Sequence, residues 1–494
     1  MHQSPSEIIF SLAPAAGNIT NEPCIFRYDY GALQLRPPRK RGRPKGSTKK
    51  RNDSTTTVGS HFDFINVTNQ SKHVDHESRV KIRRHVMVNY MTLKHKKPKE
   101  FKDQLVLPPQ VTSVDPFDAF PFRLEPYMHD LLKYYITIGW KTFYSIEKHA
   151  EFNPMTDYWI ALAFQDSAFL HTLLGCADSL SVDAPWRGIQ SRPRATRHLN
   201  AAISLVNERI ANLEFVTDEM LVVVATIAIL EKSRGAHAHW SIHMEGLRKL
   251  VHLRGGFSCL ESKPLLMGKL QRADLCGSID AVQEPYFAGR YNPTFSITSD
   301  TNILNGGFQQ IDDLINLDKT LKLCLTSLEG SMKLMKCLIS NKGGRVEAAR
   351  LRFGLTATQY TLLSAHFYSN HAGREFFRLT LILFSECLFN EKVPSAPVCD
   401  MLITRLQNLY RQTHYCLLTA EFSLWAMFLA AFVASNKSLK NWCLLEIVEF
   451  NKAMDINSWE RTVEVLELFL WDSHLFGEQF RKIWDESFAF HQSI

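Results

Sequence analysis

Nine lysines and arginines fall between Arg36 and Arg51: Arg36, Arg39, Lys40, Arg41, Arg43, Lys45, Lys49, Lys50 and Arg51. No acid and no large apolar side chain lies among them. Such a run has nothing to bury and repels itself, so it cannot fold back into a core. Its chemistry is recognition of a polyanion, and the order at its centre, Arg41-Gly42-Arg43-Pro44, narrows that chemistry. The minor groove of A·T-rich duplex is narrow and strongly negative and draws in arginines. Gly42 has no side chain to hold the backbone off the groove floor. Pro44 fixes its own φ and pushes Arg43 toward an extended conformation, which suits a chain threaded along a groove. Arg41 and Arg43 are then placed to reach base edges, with Arg39, Lys40 and Lys45 on phosphates.

These residues resemble an AT-hook, the minor-groove element of chromatin and transcription proteins. A short basic run is also a common nuclear-import signal, and the two roles are compatible. Both place the protein in the nucleus. A second basic element follows. Residues 77–97 read as a helix, with Asp75 as N-cap and Pro98 beyond the end. Its Arg79, Lys81, Arg83 and Arg84 could lie on DNA phosphates as a secondary contact; alternatively, its apolar stripe docks on the rest of the chain.

Other constellations offer less. His239 and His243 stand four apart in a helical pattern, but without the glutamate of a His-Glu-x-x-His site or a nearby cysteine pair, so no metal site is expected. The ten cysteines are never closer than twelve positions, which leaves no paired-thiol zinc spacing and suits free thiols in a reducing compartment. Gly42-x-x-x-Gly46-Ser-Thr is one residue short of a phosphate loop and lacks its lysine. No Gly-x-Ser-x-Gly elbow occurs. The reading is therefore of a protein that is not an enzyme and needs no cofactor.

Charge is distributed unevenly. Residues 1–102 hold 20 Lys/Arg against 8 Asp/Glu, and the remainder holds 37 against 42. Attraction for nucleic acid is thus confined to the first fifth, and the mildly acidic bulk should not grip it. The longest apolar runs, Met220–Leu230 and Leu424–Ala434, are half of the ~20 residues that a membrane span needs. With no signal-peptide pattern, the expectation is an intracellular protein with no membrane association.

The elements that must carry the basic segment are helical. Residues 1–35 read as a disordered tail, 36–51 as the basic segment, and 52–112 as a linker with a short strand and the basic helix; 113–494 read as an all-α body. Three-four spacing predicts helices over 127–149, 159–177, 194–212, 218–231, 237–253, 311–339, 356–370, 375–389, 399–418, 424–434, 439–450 and 459–484. Gly255-Gly256 should stop the fifth of these. Residues 261–308, with Pro264, Pro285, Pro293 and Gly306-Gly307, read as a long loop or lid.

Taken in order, Asp115-Pro-Phe-Asp-Ala-Phe-Pro121, Trp240-Ser-Ile-His-Met-Glu-Gly-Leu247, Arg254-Gly-Gly256, Leu424-Trp425, Trp442 and Trp459 resemble the fungal-specific transcription factor domain family, as does the earlier Arg79–Met87 segment. The resemblance implies an all-α regulatory domain in a DNA-binding transcriptional regulator, often one serving a metabolic gene cluster. Members commonly carry a six-cysteine zinc cluster before this domain. Here only Cys24 precedes Cys176, so the AT-hook-like segment would take over the DNA contact. Expected partners are A·T-rich DNA, and proteins or a second copy through the helical body. The body's tryptophans and phenylalanines could also line a small-molecule effector pocket, although most such residues are simply core. The rival reading is a nuclear helical scaffold or co-regulator whose basic run serves import alone.

Overall fold

The computed structural model describes residues 119–494, apart from 181–192, 213–214, 289–305, 341, 366–370, 390–398, 413–417 and 493–494. The basic segment, with Arg39, Lys40, Arg41, Gly42, Arg43, Pro44 and Lys45, and the basic helix, with Arg79, Lys81, Arg83 and Arg84, lie outside the described residues. Among the described residues the fold is all-α, without a strand.

The first helices are short and irregular. Helix α1 (Pro126–Tyr134) runs into a π turn at Tyr135–Gly139 and then α2 (Trp140–Phe143); a second π turn, Met155–Trp159, leads into α3 (Ile160–Ala163). The single helix expected over 127–149 is therefore broken. Ile136, Thr137 and Ile138 crowd the chain with β-branched groups, the Thr137 hydroxyl bonds back to Lys133 O, and Gly139 follows.

Helical pairs then stack in succession. α4 (Ser167–Leu180) packs on α5 (Pro193–Ala211), and α6 (Asp218–Ser233) packs on α7 (His237–Leu253). α8 (Pro264–Ala281) lies against α6. After α9 (Gly307–Ile315), α10 (Lys319–Ile339) pairs with α11 (Arg345–Ser364). The last group is α12 (Ala372–Phe389), α13 (Asp400–Gln412), α14 (Ala420–Val433), α15 (Lys437–Ala453), α16 (Trp459–Leu466) and α17 (Ser473–Gln492), with α14 and α15 paired and both touching α17.

Three expected helices turn out to be interrupted, and each restarts at an aspartate. Asp166 accepts from Phe169 N at 2.8 Å, Asp318 caps Leu321 N at 2.9 Å, and Asp472 takes His474 N at 2.9 Å. A side-chain oxygen there satisfies a backbone N–H that has no partner within the new helix, which makes the break stable.

The larger correction concerns residues 261–308. Pro264 opens α8 at its first helical position, where its missing N–H costs nothing. The helix continues to Ala281, with Leu266, Leu270, Ala273 and Ile279 in the core. Polar residues obscured its periodicity, because Gln271, Asp274, Ser278 and Asp280 are buried as well.

Candidate functional site

The described chain enters the body at residues 119–127, and ring contacts fasten it there. Phe120 stacks on Phe164 at 4.1 Å between centroids, and Phe122 stacks on His171 at 4.4 Å. The Tyr127 hydroxyl meets His198 Nε2 at 3.1 Å, and His198 Nδ1 meets Nδ1 of His171 at 3.0 Å. Arg194 lies over the Tyr127 ring at 4.6 Å. This junction is the body's nearest described approach, along the chain, to the basic segment.

The Trp240–Leu247 segment lies within α7. The Trp240 indole N–H donates to Ala273 O at 2.7 Å, and the ring lies flat against Gly277 of α8. The helix ends as expected: Gly255 and Gly256 take φ of 103° and 91°, and Gly256 N closes on Val251 O. Arg254 directly follows the last residue of this helix. It reaches Asp218 at the start of α6 at 2.5 Å, and Lys263 joins the same carboxylate, so one acid clamps three elements.

The aspartates that organise the centre were not singled out by spacing. Asp274, fully buried in α8, accepts from Tyr286 N, Phe287 N and the Tyr360 hydroxyl, each at 2.9 Å, and from Ser278 Oγ at 3.2 Å. Burial nevertheless dominates these bonds and pushes its carboxyl up to about 6. Asp280 pairs with Lys232 at 2.7 Å, both side chains buried, and takes Met401 N at 2.8 Å at the start of α13. Burial raises this carboxyl too, against the pull of Lys232. Glu147 and Arg352 form a two-pronged pair with both bonds at 2.6 Å, joining the irregular early segment to α11. Apart from Ser278, the partners of Asp274 lie too far along the chain for spacing to reveal them.

The histidines singled out by spacing have different surroundings. His239 meets Glu231 at 3.2 Å on the surface, whereas His243 is buried and its imidazole is pushed down to about 4 by that burial. The structure therefore does not gather them around a common point. Aromatic residues that could have lined an effector pocket face one another instead. Phe308 packs edge-on against Phe377, Trp425 and Phe469, and Phe422 stacks on Phe377 at 5.4 Å. Phe422 and Trp425 are fully buried, so this group is core. No helix among the described residues is long and apolar enough to cross a membrane.

A sequence profile of the fungal specific transcription factor domain matches residues 130–472, which include the Trp240–Leu247 and Arg254–Gly256 segments. The chain belongs to this family. It is a transcriptional regulator of fungal type, and the family implies a nuclear protein that works on DNA rather than a catalyst. No curated protein and no solved structure matches the chain.

Proposed function

We propose that this regulator contacts A·T-rich DNA through an AT-hook at Arg36–Arg51. Arg41 and Arg43 enter the minor groove around Gly42, Pro44 shapes the backbone, and Arg39, Lys40 and Lys45 hold phosphates. Arg79, Lys81, Arg83 and Arg84 form a secondary phosphate contact. The helical body of 113–494 receives the regulatory input and meets protein partners or a second copy; a small-molecule effector and control of a metabolic gene cluster fit the same role.

The observation that carries the reading is an Arg-Gly-Arg-Pro core flanked by cations on both sides, in a member of a transcription factor family whose remaining sequence is net acidic. Minor-groove readout separates little more than A·T from G·C, so promoter choice falls to the body and its partners. If the five cations Arg39, Lys40, Arg41, Arg43 and Lys45 together neutralise about five phosphates, the log–log salt slope for the hook is near −4.5.

The test is a titration of the full chain on A·T-rich and G·C-rich duplexes across salt. Arg41→Ala with Arg43→Ala should lower A·T affinity at least ten-fold and leave G·C binding little changed. Equal losses on both duplexes would reduce the segment to a generic basic tail and favour the import-signal reading.

A further inference from the structure

We infer that Tyr127, His198 and His171 form a proton-sensitive latch that holds the entry segment, residues 119–134, on α4 and α5 at neutral pH and loosens it on mild acidification. The inference concerns the body alone and stands whether or not the basic segment is an AT-hook.

The geometry is a single relay. His171 projects from α4 and His198 from α5, and their Nδ1 atoms lie 3.0 Å apart. Two imidazole nitrogens at that distance need one proton between them. One ring donates and the other accepts, which requires at least one neutral ring. Nε2 of His198 is engaged by the Tyr127 hydroxyl at 3.1 Å, so the same ring ties α1 to the α4–α5 pair. Phe122 closes over His171 from the entry segment. Two charged rings would place N–H against N–H at this contact and would be desolvated together.

The surrounding charges do not reverse this. Around His198, Asp178 of α4 and Glu125 at the head of α1 favour its charge, while Arg197 opposes it. Arg194 sits on the Tyr127 side, with Glu125, Arg197 and Asp178 also facing that phenol. Asp178 is partly occupied by Ala195 N, which it accepts at 3.0 Å. A charged His171 under the Phe122 ring would gain a cation–π contact, which does not offset burial. Burial pushes His171 down to about 4, with His198 adding to the effect, and burial likewise lowers His198.

The sign follows from these lowered values. In the released segment each imidazole titrates near its ordinary pKa of ~6.5. The latch is therefore at full strength above that pH and weakens as pH falls toward the folded values. From pH 7.5 to 5.5, the lowering of His171 from ~6.5 to about 4 raises the opening constant about ten-fold, and the lowering of His198 acts in the same direction.

Hydrogen–deuterium exchange of the full chain, corrected for intrinsic rates, reads this directly. Peptides covering residues 119–134 should open at least about ten-fold more at pH 5.5 than at 7.5, relative to Ala420–Val433 as internal control. His171→Gln with His198→Gln should leave at most a three-fold change. A wild-type change below three-fold, or a full response in the double variant, overturns the latch. Should the double variant not fold, NMR titration of the wild-type imidazoles decides: His171 below pH 5 with His198 below its ordinary value supports it, and values near 6.5 for both overturn it.

Discussion

At Gly277 an added Cβ would sit 2.2 Å from the Trp240 ring, which cannot retreat while its N–H holds Ala273 O. Gly277→Ala gains up to about 1 kcal/mol in helix propensity. Overpacking costs about 1–3 kcal/mol and more where nothing can give. A net loss of about 2 kcal/mol is therefore expected in the urea unfolding midpoint, and a stabilised variant would show that the ring moves. Asp274 gives a pH signature. Its carboxyl is raised to about 6 in the fold, so protonation favours the folded state, and this contribution declines as pH rises from 4 through 6. Between pH 7 and 5 the wild type should gain about 1 kcal/mol over Asp274→Asn, measured by urea unfolding at each pH. No gain would mean that the acid stays ionised. Spacing alone pointed to Trp240 and to Arg254-Gly-Gly256, because large apolar and glycine residues leave a local pattern; Asp274 did not stand out, since three of its four donors lie twelve or more positions away.

Elements join through buried charge as much as through apolar faces. Lys232 of α6 and Asp280 of α8 are both dry, and Asp280 also receives the first amides of α13. Breaking such a pair from one side leaves an uncompensated charge, at a cost of about 3–5 kcal/mol. Lys232→Met should cost that much, and Lys232→Met with Asp280→Asn should cost clearly less than the two single changes added; strict additivity would show that the groups do not interact. The boundaries of α6 and α7 were readable, because their apolar runs end at Thr217, which caps Met220 N, and at Gly255-Gly256. Helix α8 was not: its opening proline looks like a breaker, and its buried polar residues blur the stripe that periodicity needs.

For the whole molecule, the division is between a cationic first fifth and a mildly acidic helical body. The salt slope proposed for DNA binding belongs to the first, and the histidine latch to the second at its entry. Composition and periodicity determined that the body is all-α, that its heart includes the Met220–Leu230 helix, and that the excess of positive charge lies ahead of it. These follow from short-range physics: charge repels charge, and apolar side chains three and four apart share one helical face. Tertiary structure alone decided that Asp218 clamps Arg254 and Lys263, that Asp274 collects Tyr286, Phe287 and Tyr360, and that His171 meets His198. Each of those contacts joins residues many positions apart. Their pairing depends on how helices pack, a choice that no local pattern along the chain encodes.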